Sequence, residues 1–443
     1  MRLRRAIASI PTGIRACSCH NAQFPGVPTR VACPPNKREQ AVVTGMVEIP
    51  AHVPADRVVD FDLFNPPGVE HDYFAAWKRL LDGPGLVWTT ANGGHWIAAR
   101  GDVVRTLWAD AERLSSECLA VTPGLGEVMR FIPLQQDGAE HKAFRTPVMK
   151  GLASRFVVAL EPKVQGVARE LMEGLRPQGA CEFVADFAEI LPLNIFLTLI
   201  DVPLEDRPAL RKLGVQLTRP DGSMTVDELR QAADDYLWPF IQKRMAEPGE
   251  DLFSRILSEP VDGRAWTVDE ARRMCRNLLF GGLDTVAAMI GMVALHLARH
   301  PEDQRLLRER PELIPDAADE LMRRYPTVAV SRNAVADVAI DDVVIRAGDL
   351  VYLPSVLHNL DPASFDAPEE VRFDRGLTPI RHTTMGVGVH RCVGAGLARM
   401  EVIMFLREWL GGMPEFRLAP DKPVTMKGGN VGACTALPLM WEA

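Results

Sequence analysis

Apolar and polar positions recur at helical spacing along most of the chain. Four segments keep this spacing long enough to predict helices, at 155–176, 225–246, 267–299 and 311–326. The segment 267–299 is the longest, and Thr267 and Glu270 at its start have the spacing of a capping box. At about 1.5 Å per residue it would extend for about 50 Å, enough to cross a whole domain.

Segments with the character of strands are few and short, at 86–89, 95–99, 338–345 and 349–353. Clusters of Pro and Gly predict turns at 65–68, 82–85, 123–126, 219–223 and 259–263. The pattern therefore predicts a mainly α fold with small β-sheets (α+β). Since no internal repeat or long linker follows residue 46, we expect one domain over 46–443.

The first 45 residues differ in composition from the rest of the chain. They hold seven Arg and Lys residues and a single acid, Glu39. Organelle targeting peptides have this composition, whereas the lack of a continuous apolar run argues against a secretory signal. The interpretation we favour is a mis-assigned start, with translation beginning at Met46. In either case we expect residues 1–45 to be a basic N-terminal extension, disordered and outside the fold.

Composition excludes several classes of function. The 443 residues carry a net charge of −8, which argues against nucleic acid as the main partner. We expect no membrane helix, which needs roughly 18–20 consecutive apolar residues. The eight cysteines are scattered without paired C-x-x-C spacing, so we expect neither a disulfide framework nor a zinc site. This cysteine usage fits a reducing cytoplasm.

Cys392 lies in the most informative segment, the glycine-rich stretch 383–396. Glycines such as Gly386 let a backbone loop approach a flat ligand closely. The apolar run that follows predicts a helix, whose N-terminus favours a thiolate. A thiolate ligand on heme iron favours cleavage of the O–O bond. The alternative is a glycine-rich turn that carries a buried structural cysteine.

The long predicted helix contains Gly281-Gly282-Leu283-Asp284-Thr285. Each glycine inside a helix costs about 1 kcal/mol relative to alanine, so a ligand lying against the helix would explain the pair. An acid and a hydroxyl directly after such a gap are suited to relaying protons. The alternative is a helix crossing point with a solvated aspartate.

Four cations are candidates for binding carboxylates of a ligand. His141 and Arg145 lie one helical turn apart, and Arg332 and His390 occur near the later motifs. Buried cations of this kind suit the propionates of a heme. Taken singly, each is most often a surface residue.

Glu320 and Arg323 form an i,i+3 pair on one face of the predicted helix 311–326. Most pairs of this kind are surface ion pairs that contribute little to stability. Without further context the pair is a weak signal.

Taken together, these motifs resemble the cytochrome P-450 family in order and spacing. Further phrases resemble its bacterial camphor 5-monooxygenase subfamily, at 92–98, 115–118, 131–133, 218–225, 382–384 and 436–441. The resemblance covers about residues 47–442. It implies the fold of that family, a heme b cofactor, and hydroxylation of a small apolar terpenoid with dioxygen.

The resemblance also implies roles for individual residues. Cys392 is the expected iron ligand, and Asp284 and Thr285 are expected to deliver protons. Glu320 and Arg323 are expected to hold the fold beneath the heme. The remaining heme-binding residues would be His141, Arg145, Gly281, Arg332, Gly386 and His390.

The expected substrate pocket departs from that of the camphor enzymes. Beside the cysteine loop, and apart from the pocket residues, Met385 replaces the family's usual phenylalanine. In the pocket, Ala120 replaces a phenylalanine, and Met129 stands where the camphor enzymes place a tyrosine that donates to camphor. Losing one neutral hydrogen bond costs about 0.5–1.5 kcal/mol. We therefore expect a norisoprenoid such as an ionone rather than camphor. The pocket residues would be Ala120, Met129, Phe131, Thr218, Asn277, Gly281, Val328, Asn430 and Val431, the two asparagines replacing aliphatic residues.

The resemblance implies a monomeric bacterial enzyme fed by a [2Fe–2S] ferredoxin and its NADH-dependent reductase. Basic residues expected on the docking face are Arg105, Arg113, Lys142, Arg145 and Arg391. Alternatives are a camphor hydroxylase proper, a heme-thiolate sensor without turnover, or a peroxygenase. The Asp284–Thr285 pair argues against the last two, since neither needs a proton relay.

Overall fold

The computed structural model describes residues 47–118, 120–122, 124–377 and 381–442. The proposed extension 1–45 lies outside these residues. Helices dominate the described part of the chain. They are α1 Tyr73–Lys78, α2 Gly101–Ala109, α3 Leu125–Met129, α4 Gly138–Gly151, α5 Ser154–Ala159, α6 Glu161–Leu175, α7 Ile190–Leu199, α8 Arg207–Thr218, α9 Val226–Ala246, α10 Leu252–Ser258, α11 Val268–Leu283, α12 Thr285–Arg299, α13 Pro301–Glu309, α14 Ile314–Arg324, α15 Ser355–Asn359 and α16 Ala395–Gly412.

The strands form small sheets. A six-stranded sheet has the order β1-β2-β3-β9-β6-β4, a three-stranded sheet the order β10-β13-β5, and β7-β8 and β11-β12 form two-stranded pairs. Their bounds are β1 Val58–Val59, β2 Leu86–Thr89, β3 His95–Ala98, β4 Leu114–Ser115, β5 Ala180–Glu182, β6 Ala329–Ala334, β7 Val338–Ile340, β8 Val343–Ile345, β9 Leu350–Pro354, β10 Phe416–Leu418, β11 Thr425–Lys427, β12 Ala433–Ala436 and β13 Pro438–Trp441. The mainly α fold with small sheets is therefore confirmed.

The longest predicted helix, 267–299, is interrupted rather than continuous. The capping box at Thr267 is present, but α11 ends at Leu283 and α12 begins at Thr285. Asp284 between them has φ −134° and ψ −31°, outside the helical region. The helix is interrupted at the aspartate of the Gly-Gly-Leu-Asp-Thr motif. The motif therefore lies at a helix break and not within a continuous helix.

Other predicted boundaries also need correction. The segment 155–176 divides into α5 and α6 at Leu160, because Pro162 cannot continue the hydrogen bonding of a preceding helix. The strand 338–345 is a hairpin, with Asp341 at φ +50° in the turn between β7 and β8. The predicted turn at 123–126 gives way to α3 from Leu125.

The helical run Val268–Arg299 forms the centre of the core. It is long and apolar enough to cross a membrane, so the expectation that no segment has this character was wrong. Yet 78% of its apolar window is buried inside the protein, and every residue from Ala287 to Ala298 is buried. The run is therefore the central helix of the core. The helix α16 and the three-stranded sheet pack against α12.

Candidate active site

An apolar cavity of about 370 Å³ lies between the broken helix α11–α12 and the loop that carries Cys392. It collects residues that are more than a hundred positions apart in the chain. The predicted site residues on its wall are Ala120, Phe131, Arg145, Thr218, Asn277, Gly281, Thr285, Val328, Arg332, Gly386, His390, Cys392, Asn430 and Val431.

The cysteine loop is held in a fixed shape by its glycines and its backbone hydrogen bonds. Gly386 has φ +75°, and a Cβ there would lie 3.4 Å from the Trp108 ring. This left-handed conformation and close approach suit glycine. The Cys392 N–H donates to the Met385 carbonyl at 2.8 Å, which closes the loop. The Cys392 side chain has accessible surface on the cavity wall, while the surrounding protein shields its sulfur from bulk solvent.

The charge environment of Cys392 indicates what the site requires. Burial raises the pKa of the thiol, while the Gly394 N–H and the cations Arg145 and Arg391 act to lower it. Burial prevails, so these groups alone do not hold a thiolate. A metal ion bound to the sulfur would supply the missing positive charge. The sulfur therefore fits the role of a heme ligand.

Arg332 supplies a buried cation on the cavity wall. Its Nη1 donates to the Ser331 carbonyl at 2.8 Å, and no ion pair to it occurs in the described part of the chain. Burial lowers the pKa of its guanidinium to about 10. The Asp137 carboxylate offsets this burial only in part and forms no ion pair with Arg332 within the described residues, so a carboxylate entering from the cavity would stabilise the buried cation.

His141 and His390 form a buried pair beside this cation. Their ring centroids are 4.1 Å apart, and His141 Nε2 and His390 Nδ1 have no hydrogen-bond partner within the described residues. Burial, followed by the charges of His390 and Arg145, lowers the pKa of His141 to about 4. His390 lines the cavity and His141 lies behind it. These unpaired nitrogens and the Arg332 guanidinium fit the two propionates of a heme.

The two glycines of α11 have different surroundings. A Cβ on Gly281 would meet nothing within 4 Å, whereas a Cβ on Gly282 would lie 2.5 Å from the Phe196 ring. Gly281 therefore opens the cavity wall toward a ligand, and Gly282 permits the crossing of α7. The sequence offered two interpretations of the glycine pair, a ligand lying against the helix and a helix crossing point. The first fits Gly281, and the second fits Gly282.

Thr285 and Asp284 both lie at the helix break, but their side chains have different surroundings. The Thr285 hydroxyl donates to the Gly281 carbonyl at 3.0 Å and lines the cavity. Asp284 is buried, so it is not the solvated aspartate of the alternative interpretation. Arg219 binds its carboxylate with both terminal nitrogens, at 2.5 and 2.9 Å, and the Thr218 hydroxyl donates to it at 2.8 Å.

Sequence reasoning missed Arg219, Arg375 and Glu401. Arg219 lies in a segment predicted only as a turn. The available signal was that a buried Asp284 would need a cationic partner. Glu401 is buried on the cavity wall, and burial raises its pKa well above the usual range, which favours its neutral form. Nothing in the spacing of α16 singles it out.

Glu320 and Arg323 lie off the cavity in a fully buried network. Arg323 binds both carboxylate oxygens of Glu320, at 2.7 and 2.8 Å, and donates to three backbone carbonyls. Arg375 donates to the same carboxylate at 2.9 Å. The pair is buried rather than a surface ion pair, and it ties α14 to the segment that leads to the cysteine loop.

Met129 is the predicted pocket residue that the structure does not place on the cavity. It ends α3 with its side chain fully buried in the interior. Its carbonyl accepts a hydrogen bond from Arg276, which joins this turn to α11. Leu125 and Phe131 on either side line the cavity instead.

Comparisons with known proteins agree with this geometry. The cytochrome P450 family model matches residues 223–428. A solved structure described as cytochrome P450 CYP101C1 is 88% identical, with a TM-score of 0.85, covering 89% of this chain and 100% of that one. CYP101J2 is 38% identical, with a TM-score of 0.81 and the same coverage. The probable cytochrome P450 127A1 of Sinorhizobium fredii is 34% identical over 89% of this chain and 97% of its own length.

Proposed function

This chain belongs to the cytochrome P450 family, and from that premise we propose that it hydroxylates a small apolar norisoprenoid with electrons from a ferredoxin. It is a monooxygenase of bacterial type with a heme b cofactor. The observation that carries the proposal is the apolar cavity, whose wall carries the Cys392 sulfur, Thr285 and the cations Arg145, Arg332 and His390. Bound heme supplies the redox chemistry that activates dioxygen.

Binding of the cofactor falls to the cysteine loop and the cations. Cys392 would bind the iron. Arg332, His390 and Arg145 would bind the propionates, and the His141 ring would pack against the His390 ring. Arg145 also donates to the Arg391 carbonyl and so braces the loop. The loop is preorganised by its own hydrogen bonds, which keeps the sulfur aimed into the cavity.

Proton delivery would pass from Asp284 to the cavity through the helix break. The Asp284 carboxylate is paired with Arg219 and Thr218, so it must release at least one of these contacts to carry a proton. Thr218 contacts both Asp284 and the cavity. Thr285 presents its hydroxyl on the cavity side and would place the proton near the reacting oxygen.

The substrate proposal depends on the shape and polarity of the wall. Phe131, Val328, Val431 and Ala120 give an apolar surface, and Ala120 widens it. No tyrosine lines the cavity in the described part of the chain, so its wall carries no phenol donor. We favour an ionone over camphor because the widened apolar wall suits a larger terpenoid. Camphor hydroxylation is the alternative and is tested alongside.

Electron supply is proposed to come from a [2Fe–2S] ferredoxin with an NADH-dependent reductase. Arg391 is exposed and adjoins the ligand cysteine, so an acidic partner would dock close to the heme. Arg113 of the expected basic face pairs with Asp110 at 2.6 Å and contributes less free charge. We propose the cytoplasm as the location, where such partners occur.

Reconstitution tests the proposed function. The holoenzyme is supplied with NADH, a [2Fe–2S] ferredoxin, its reductase, β-ionone and ¹⁸O₂, and the product is analysed by mass spectrometry. The expected product is a hydroxylated ionone that carries one ¹⁸O atom. Electron transfer without any product from either β-ionone or camphor would favour a sensor without turnover. Product from camphor alone would select the alternative substrate.

A further inference from the structure

Two asparagines on the cavity wall differ in how their amides are engaged. Asn277 Nδ2 donates to the Ile132 carbonyl at 3.0 Å, which fixes its amide. Asn430 has no such anchor, and its Oδ1 is enclosed by protein without a hydrogen-bond partner among the described residues. Since the oxygen is inaccessible, the nitrogen is the amide atom that a ligand can meet.

The backbone around Asn430 fixes where this amide sits. The Asn430 N–H donates to the Thr218 carbonyl at 3.2 Å, and its own carbonyl accepts from Ala329 at 3.3 Å. Val328 and Val431 pair as an isolated β-bridge beside it. The residue is thus clamped between α8 and the start of β6, so its side chain has a defined place on the wall.

Two neighbouring hydroxyl groups on the cavity wall already have acceptors. The Thr218 hydroxyl donates to Asp284 and Thr285 donates to Gly281. A buried donor without an acceptor is costly, and a ligand oxygen that fills the position gains affinity. Among these groups, the Asn430 amide is the donor left for a ligand.

We propose that Asn430 recognises a carbonyl oxygen of the substrate, so that the cavity selects ketone-bearing terpenoids over hydrocarbons of the same shape. The inference rests on the proposed function, because it assumes that the substrate occupies this cavity. It goes further by naming the functional group that is read and the residue that reads it. Asn277, whose nitrogen already donates to the Ile132 carbonyl, is the matched control residue.

The test compares matched ligands in matched variants. Ferric wild-type holoenzyme, Asn430→Leu and Asn277→Leu are titrated with β-ionone and with the corresponding hydrocarbon that lacks the carbonyl, following the heme absorbance. Loss of one neutral hydrogen bond predicts a roughly three- to tenfold weaker Kd for β-ionone in Asn430→Leu. We expect no weakening for the hydrocarbon, and no ketone-selective loss in Asn277→Leu.

An infrared measurement provides a second readout. The carbonyl band of ¹³C-labelled β-ionone is expected at lower frequency in the wild type than in Asn430→Leu, because a donated hydrogen bond weakens the C=O bond. Equal loss of both ligands, or an unchanged band, overturns the inference and leaves the proposed function standing. If the wild type binds neither ligand, the proposed norisoprenoid substrate and the inference are both overturned.

Discussion

At the scale of single residues, polar groups in this site are defined by the partners they have or lack. Asp284 is held by Arg219 and Thr218, whereas His390 Nδ1 and the Asn430 amide oxygen have no hydrogen-bond partner among the described residues. Buried polar groups are normally paired, so His390 Nδ1 marks a place for a ligand, and at Asn430 the enclosed oxygen leaves the amide nitrogen to meet one. The paired acid marks a group that has to move in order to act.

Thr285→Ala tests the proposed proton route. Removal of the hydroxyl is expected to divert electrons from product to hydrogen peroxide, because proton placement in the cavity is lost while dioxygen still binds. Peroxide and hydroxylated product are measured per NADH consumed. Thr285→Ser retains a hydroxyl and is expected to keep most of the coupling. Full coupling in Thr285→Ala would remove this residue from the mechanism.

His95 predicts a pH dependence of stability away from the site. Burial in β3 lowers its pKa from 6.5 to about 4. Between about pH 6.5 and pH 4, His95 is therefore protonated in the unfolded chain but neutral in the folded chain. The free energy of unfolding decreases as pH falls through this window. The contribution is about 3 kcal/mol.

The measurement is urea unfolding of wild type and His95→Phe at pH 7 and at pH 4.5. The wild type is expected to lose more unfolding free energy between the two pH values, by about 2–3 kcal/mol. A difference between the two proteins that does not change with pH would contradict the assignment.

At the scale of elements, the break between α11 and α12 positions the chemistry. The periodic pattern predicted both halves and the capping box, because amphipathic spacing and caps are local properties. It did not predict the break, where Asp284 pairs with Arg219, a residue 65 positions away in the chain. Met129 was expected in the pocket but does not line the cavity, and its carbonyl accepts a hydrogen bond from Arg276 of another helix.

The glycine pair allows a matched test of this element. Gly281→Ala faces open space and is expected to stabilise the helix by up to about 1 kcal/mol while narrowing the cavity. Gly282→Ala places a Cβ 2.5 Å from the Phe196 ring and is expected to destabilise by about 1–3 kcal/mol. Chemical unfolding and ligand titration distinguish them. Equal stability of the two variants would refute the division of roles.

At the scale of the whole molecule, fold and cofactor site could be predicted from three motifs in order, together with the mainly helical pattern. Cys392, Arg332 and Thr285 were placed on one cavity as expected. The hydrogen bonds that decide polarity inside the cavity could not be predicted, because they join residues far apart in sequence, as Asn277 joins Ile132.

Charge on the face that carries the cysteine loop gives a prediction for electron transfer. Arg391→Glu is expected to raise the apparent KM for ferredoxin at low ionic strength, and added salt should reduce the difference. Arg417→Glu, on an exposed position of β10, is the control. Arg145 suits this test less well, since it lines the cavity and braces the loop. Equal effects of both variants would argue against docking at this face.

The most direct test of the central claim is a titration of the ferric holoenzyme with β-ionone and camphor, following the heme absorbance. Occupation of the apolar cavity beside a Cys392-bound heme predicts a shift to the high-spin form with β-ionone and a much weaker response to camphor. A strong camphor shift without an ionone response would contradict the proposed substrate.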